Sequence, residues 1–197
     1  MTQTPSLPRS QATRILHLML LLCVVHQLAG SQFIHRPIPG EPAGWLYLQH
    51  EYVGLATMPV LLGFWMWSLV RRGETSLGRL LPWFSPRRLG DLWRDLTSQL
   101  RLIARLQVPD DEDGAFASAV HGLGLLVATL MTASGTIYFF LEGSAAGRPY
   151  LSVHKLSANL MWAYLVGHAG IAVLHHLLGS DIFSRMFWNK RRQRKLA

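Results

Sequence analysis

Four long apolar stretches constrain the fold of this chain more than any other feature of its sequence. Each carries the roughly 20 apolar residues that a helix needs to cross the hydrocarbon core of a bilayer. They cover residues 13–32, 48–70, 117–141 and 152–178. A chain of 197 residues has little length left for a separate soluble domain. The pattern therefore predicts one all-α membrane domain over residues 1–197, a bundle of four transmembrane helices.

The basic residues predict how these helices cross the membrane. Of the 19 Lys and Arg, 16 lie near the N-terminus, between the second and third stretches, or after the fourth. Because positively charged connections stay on the cytoplasmic side, we expect both termini and the central connection in the cytoplasm. The basic tail at 185–197 directly follows a membrane stretch, which favours anchoring to the lipid surface over binding to nucleic acid.

The first stretch also has features of a secretory signal, since basic residues precede an apolar run that ends near the letters LAG. Two histidines and Gln27 lie inside it, however, and such polar residues argue against a cleaved signal. We therefore expect it to remain as a mature helix. Cys23 is the single cysteine, so neither a disulfide nor a cysteine-based metal site is expected.

The connection between the second and third stretches has apolar residues at every third or fourth position, which indicates a helix. These residues are Leu89, Leu92, Trp93, Leu96, Leu100, Ile103 and Leu106. The pattern predicts an amphipathic cytoplasmic helix over about 89–107 that lies along the membrane surface or packs on a partner. The acidic run PDDED at 109–113 is expected to be a solvated linker.

The histidines inside the apolar stretches are the strongest candidates for chemistry, because ionisable side chains are costly at membrane depth. His154 and His168 lie 14 residues apart in the fourth stretch. This spacing returns the side chain to within about 40° of the same helix face, about 21 Å further along. One helix can thus supply a ligand to each of two stacked centres. His17 and His50, near the starts of the first and second stretches, can complete them.

Depth in the membrane predicts the pairs, with His50 and His154 near the outer face and His17 and His168 nearer the inner face. Two neutral imidazoles saturate a heme iron, which favours electron transfer over oxygen binding. The chain lacks the Cys-x-x-Cys-His sequence that attaches heme covalently. The pattern therefore predicts two non-covalently bound b-type hemes whose axial ligands are these four histidines.

Five further histidines are His26, His35, His121, His175 and His176. By position alone, His175 competes with His168 for the inner site, since it is nearly in phase with it. His26 points about half a turn away from His17 and cannot share its ligand face. His121 can contact a heme propionate or a quinone, or can simply pack as a polar residue.

A rival interpretation is a heme-free, histidine-lined transporter of metal ions or protons. Such a protein needs acidic residues inside its membrane helices. Only Glu51 and Glu142 come close, and both lie at the edges of the apolar stretches.

The last stretch resembles the fourth helix of the bacterial cytochrome b561 and nickel-hydrogenase cytochrome b superfamily. The matching segment is HKLSANLMWAYLVGHAGIAVLHHLLGSDIFSRMF, and the shared positions are His154, Ala158, Asn159, His168, His175, His176, Asp181, Arg185 and Met186. RILHLM and HEYVG look like the starts of the first and second family helices, so the resemblance covers nearly the whole chain. The chain departs from many members at Leu18, where they carry Trp, and has Gly63, Phe64 and Trp65 around the place where many carry an Arg.

The resemblance implies that His17, His50, His154 and His168 are heme ligands and that His175 and His176 are not. It implies a di-heme b-type cytochrome of the bacterial inner membrane that passes electrons between ubiquinone or menaquinone and a redox partner. The connection between the second and third helices is longer than in the smallest members. In this it looks like members that serve as membrane anchor and electron-relay subunits of a dehydrogenase or hydrogenase.

Overall fold

The computed structural model describes residues 9–35, 37, 40–72, 74–105, 107, 114–179 and 186. In this part of the chain all regular structure is helical. The helices are α1 (Gln11–Gly30), α2 (Trp45–Val70), α3 (Leu77–Leu80), α4 (Pro86–Ala104), α5 (Ala115–Phe140) and α6 (Arg148–Leu177), with short 3₁₀ turns at Pro82–Phe84 and Ala145–Gly147. Helices α1, α2, α5 and α6 are long and apolar enough to cross a membrane. The prediction of an all-α membrane bundle with four spans is confirmed.

Large apolar side chains remain exposed along the four long helices. Examples are Leu22, Leu62, Met66, Leu69, Leu130, Leu156 and Val166. In a water-soluble protein such exposure would be unfavourable. In a bilayer these side chains meet lipid tails, while the helical hydrogen bonds satisfy the backbone inside each segment.

By its internal contacts the chain divides into two compact units. The first comprises Met1–Arg14, Ser68–Leu123 and Leu165–Ala197, and the second comprises Ile15–Trp67 and Gly124–Tyr164. Three features predicted from the sequence lie outside the described residues, apart from Met186. They are the basic tail from Arg185, the acidic linker at 109–113 and Leu106 of the apolar pattern.

Helix α4 occupies the connection between α2 and α5 and belongs to the first unit. Pro86 stands in its first turn, where a missing N–H removes no helical hydrogen bond. The Asp95 carboxylate accepts a hydrogen bond from the Phe116 N–H at 2.8 Å, so a negative charge lies at the positive end of α5.

The apolar face of α4 has exposed side chains, since Trp93 and Leu100 are 65% and 57% exposed. Placement of this face on lipid or on a partner stays a prediction.

A buried polar network joins the start of α1 to the segment after α2 in the first unit. The Glu74 carboxylate accepts hydrogen bonds from the Ser10 N–H at 3.1 Å and the Thr13 hydroxyl at 2.7 Å. Arg71 lies 3.9 Å from the same carboxylate, and its Nε donates to the Thr75 carbonyl. The network holds a carboxylate at the positive end of α1, an arrangement that the helix dipole stabilises.

Burial by itself would raise the pKa of Glu74. The hydrogen bonds from Ser10 and Thr13 and the charge of Arg71 outweigh burial and hold the pKa below its ordinary value of 4.5. Because the folded-state pKa is lowered, ionised Glu74 stabilises the fold above about pH 4.5, and this stabilisation is lost as the pH falls through the lowered pKa.

We expect Glu74→Ala to lower the free energy of unfolding at neutral pH by about 2 kcal/mol, because two donors and a buried cation lose their acceptor. Unfolding of the detergent-solubilised protein measures the difference, which should shrink as the pH is lowered below 4.5. Glu41→Ala, at an exposed position, is the matched control and should leave the free energy unchanged. An unchanged free energy for Glu74→Ala would contradict the stabilising role of the network.

Candidate functional site

His50 of α2 and His154 of α6 come together in the second unit. Their ring centroids lie 6.1 Å apart, and the ring planes make an angle of 84°. Two imidazoles on opposite sides of a transition metal place their centroids about 6 Å apart, given metal–nitrogen bonds of about 2 Å and ring radii of about 1 Å. A direct N–H···N hydrogen bond would bring the centroids to about 5 Å. The spacing fits two ligands of one metal ion.

The proton on His154 is assigned by its hydrogen-bond partner. His154 Nδ1 lies 2.8 Å from the Met131 carbonyl oxygen on α5. A carbonyl can only accept, so Nδ1 carries the hydrogen, and Nε2 of the neutral ring keeps its lone pair. Metal-binding histidines regularly donate their second N–H to a backbone carbonyl in this way, which fixes the tautomer and the ring orientation.

Gly135 makes room for this hydrogen bond. The Met131 carbonyl oxygen also accepts the helical hydrogen bond from the Gly135 N–H, four residues further along α5. A side chain at position 135 would therefore lie next to the second lone pair of this oxygen. A Cβ at Gly135 would lie 2.8 Å from His154 Nδ1 and 2.9 Å from Cε1, closer than real contacts allow. The missing side chain lets the imidazole reach the backbone of α5.

On the opposite side, α1 holds the turn of α2 that carries His50. The buried Gln27 side chain donates from Nε2 to the His50 carbonyl oxygen at 2.7 Å. A Cβ at Gly54 would lie 2.9 Å from that nitrogen, so this glycine also permits a close approach. Within the described residues, buried His50 Nδ1 makes no hydrogen bond, which costs about 1–3 kcal/mol.

The two histidines predicted at the inner site lie on α1 and α6. His17 is half-buried on α1 in the second unit. His168 lies in the first unit, where its ring centroid is 5.2 Å from that of His121, at an interplanar angle of 77°. The sequence did not predict this neighbour. The pairing of His17 with His168 stays a prediction.

The other histidines differ in exposure. His26, His35 and His176 are exposed. His175 is 7% exposed, and within the described residues neither of its ring nitrogens makes a hydrogen bond. Burial alone therefore does not separate ligands from non-ligands in this chain. The assignment of His175 as a non-ligand rests on the family resemblance.

Trp65 of α2 makes a side-chain contact with α5. Its indole N–H donates to the Thr129 hydroxyl of α5 at 3.0 Å, and the neighbouring Phe64 is buried. These contacts pack α2 against α5 in the second unit.

Ring contacts join His50 to His154 and His121 to His168. Within the described ranges, no group of three or more His, Cys, Asp or Glu side chains can hold a metal ion. A pair supplies only two ligands, which suits an iron whose four equatorial positions are filled by a porphyrin.

Comparison with protein families gives one match. A family model described as prokaryotic cytochrome b561 matches residues 9–189, nearly the whole chain. Comparisons with curated proteins and with solved structures give no match.

We expect Gly135→Ala to displace the His154 ring and so to lower the heme content of the purified protein, because disturbed supporting contacts weaken metal binding about 10- to 100-fold. The pyridine haemochrome assay, read against protein concentration, measures the effect. Gly167→Ala is the matched control, since a Cβ there meets no atom within 4 Å and both changes raise helix propensity equally. Full heme content in Gly135→Ala would show that the ring does not need this space.

Proposed function

Because the chain belongs to the prokaryotic cytochrome b561 family, we propose that it is a di-heme cytochrome that passes electrons between the quinone pool and a redox partner. Membership makes it a membrane b-type cytochrome of electron transfer. The observation that best supports the fuller proposal is the 6.1 Å spacing of the His50 and His154 rings, with the His154 Nδ1 proton held by the Met131 carbonyl.

In this proposal His50 and His154 hold the outer heme, and His17 and His168 hold the inner one. A bound b-type heme supplies one-electron chemistry through its iron. The histidines would bind each heme with two neutral imidazoles, so that no open position would remain for oxygen. The Met131 carbonyl keeps the His154 ring in one tautomer and orientation, in which it would hold the outer heme.

The proposed electron-carrying substrate is ubiquinone or menaquinone, exchanged through the lipid phase. Both quinones are apolar and reside in the bilayer, and the long helices expose apolar side chains to it. The protein's contribution is to bind, space and tune the cofactors, since electron transfer itself breaks no bond in the chain.

We expect two low-spin, bis-histidine b-type hemes per chain, extractable with acid. Replacing His50 or His154 by Ala should remove one heme, and replacing His17 or His168 the other, because an iron that loses an axial ligand is bound more weakly. His175→Ala is the control that should retain both. The haemochrome assay and the oxidised and reduced visible spectra measure this. Loss of a heme in His175→Ala, with both retained in His168→Ala, would refute the inner pairing.

We further propose a bacterial inner membrane location with both termini in the cytoplasm. The segregation of 16 of the 19 basic residues to one side of the four-span topology supports this. A reporter enzyme that is active only in the cytoplasm should be active when fused after Ala197. A periplasmic reporter active at the same position would reverse the topology and exchange the outer and inner assignments.

A second candidate function is that of a membrane anchor and electron-relay subunit in a dehydrogenase or hydrogenase complex. The exposure of Trp93 and Leu100 on α4 favours it, since exposed apolar side chains on a cytoplasmic helix suit a protein partner. A lipid surface would cover the same side chains in a stand-alone cytochrome.

The double change Leu96→Glu and Leu100→Glu should distinguish the two candidates. It places charge on the apolar face of α4, so we expect an intact heme spectrum together with weaker copurification of the partner subunits. Ser98→Glu adds charge on the opposite side of the helix and is the control. Unchanged copurification of every partner would remove the docking proposal, and loss of heme would make α4 part of the structural core.

A further inference from the structure

The connection between α2 and α5 is held against the start of α5 in the first unit. A Cβ at Gly122 would lie 1.8 Å from the Leu80 carbonyl oxygen, so the end of α3 packs directly on the backbone of α5. Half-way along α4, the Asp95 carboxylate accepts a hydrogen bond from the Phe116 N–H at 2.8 Å. The two contacts fix α3 and the middle of α4 beside the first eight residues of α5.

This position on α5 indicates the depth of the connection in the membrane. Helix α5 has 26 residues and is about 39 Å long, close to the 40–45 Å of a bilayer that includes its headgroup layers. The hydrocarbon core is about 30 Å thick, so about 5 Å at each end of a centred, upright α5 lies among headgroups. Phe116 then lies in the headgroup layer, and Gly122, about 9 Å further along, lies inside the hydrocarbon. The middle of α4 is therefore level with the lipid headgroups.

At this depth the connection exposes large aromatic and apolar side chains. Phe84, in the 3₁₀ turn before α4, is 89% exposed, and its neighbour Trp83 is also exposed. On α4 the exposed Trp93 and Leu100 lie seven residues apart, which places them on one face of the helix. Trp is enriched where proteins cross the boundary between headgroups and hydrocarbon. The exposed face has the composition of a helix that lies in this boundary.

Three arginines form a row along α4 beside its apolar face. Arg87, Arg94 and Arg101 are exposed and recur every seven residues, about 110° around the helix from the apolar face. Helix α4 contains four arginines and two aspartates, so its net charge is positive. Asp91 pairs with Arg94 at the surface, and Asp95 faces the start of α5. The side of α4 that carries the arginine row is therefore positively charged.

We propose that the 3₁₀ turn and α4 form a binding surface for anionic phospholipid, in which the apolar face enters the lipid layer and the arginine row binds headgroup phosphates. A guanidinium group donates two parallel hydrogen bonds to phosphate oxygens. The long arginine side chain also reaches the headgroups while its apolar stem stays on the apolar surface. A face that is level with the headgroups is surrounded by lipid, which favours lipid over a protein partner. The proposal depends on the membrane helices and not on the hemes, so it goes beyond the proposed function.

The first test measures the lipid preference of the whole purified protein. The protein in detergent is titrated with phosphatidylglycerol or with phosphatidylcholine, and native mass spectrometry gives the apparent affinity for each lipid. The parent should bind phosphatidylglycerol more tightly. The triple change Arg87→Gln, Arg94→Gln and Arg101→Gln should reduce this preference by about five-fold for each arginine that binds a phosphate, and by up to about 100-fold in total. The matched triple change to Lys keeps the charges and should retain most of the preference.

The second test locates α4 with all its arginines present. In a Cys23→Ser background, Trp93→Cys, Leu100→Cys and Ser98→Cys each carry one spin label, and each protein is reconstituted into vesicles that contain phosphatidylglycerol. Labels at positions 93 and 100 should collide more often with dissolved oxygen than with a water-soluble nickel complex, as expected in lipid. The label at position 98 is the control and should show the reverse, because it lies on the opposite side of the helix.

Four results would overturn the proposal. They are equal affinity of the parent for the two lipids, an unchanged preference in the triple Gln variant, access of nickel to the labels at 93 and 100, and shielding of these labels from both probes. Access of nickel would place the apolar face in water. Shielding from both probes would place it in a protein contact, which for the purified protein means a second copy of the chain.

Discussion

An imidazole inside a membrane bundle has two ring nitrogens, and the hydrocarbon around it offers a partner to neither. If one nitrogen of a neutral ring binds a metal, the other carries a hydrogen, and an acceptor within the protein fixes the orientation of the ring. Helical backbone offers such acceptors, because each carbonyl oxygen that accepts a helical hydrogen bond has a second lone pair. The contact from His154 to the Met131 carbonyl uses this lone pair. The glycine at position 135 is needed because it keeps that oxygen accessible to the His154 ring.

Helix α5 supports the histidines of neighbouring helices, a role that its own sequence does not indicate. It carries none of the four predicted ligands, yet it supplies the acceptor for His154 and, at Gly135, the space that the ring occupies. It also accepts the indole hydrogen of Trp65 through Thr129, which fixes α2. At its start, His121 adjoins His168. A helix that positions ligands without contributing any is sensitive to changes that add volume, because an added methyl group displaces a neighbouring ring instead of removing a bond.

The two described histidine pairs show how a difference of 0.9 Å changes the chemistry available. The rings of His50 and His154 are 6.1 Å apart, and those of His121 and His168 are 5.2 Å apart. The larger spacing leaves room for a metal ion, and the smaller one is a T-shaped contact between the two rings. Residue type is the same in both pairs, so the backbone positions of the helices decide which role each histidine can take.

The sequence by itself determined the four membrane helices and the shared face of His154 and His168, because hydropathy over 20 residues and the 3.6-residue period are local properties. It also singled out His50 and His154 as partners from their depth alone, and the structure brings these rings together. Only the tertiary structure decided that Met131 provides the acceptor, that Gly135 provides the space and that His121 lies beside His168. A backbone carbonyl is chemically the same at every residue, and a glycine does not specify which neighbour fills the space it leaves. Such contacts depend on the rotation and separation of packed helices, which no local pattern encodes.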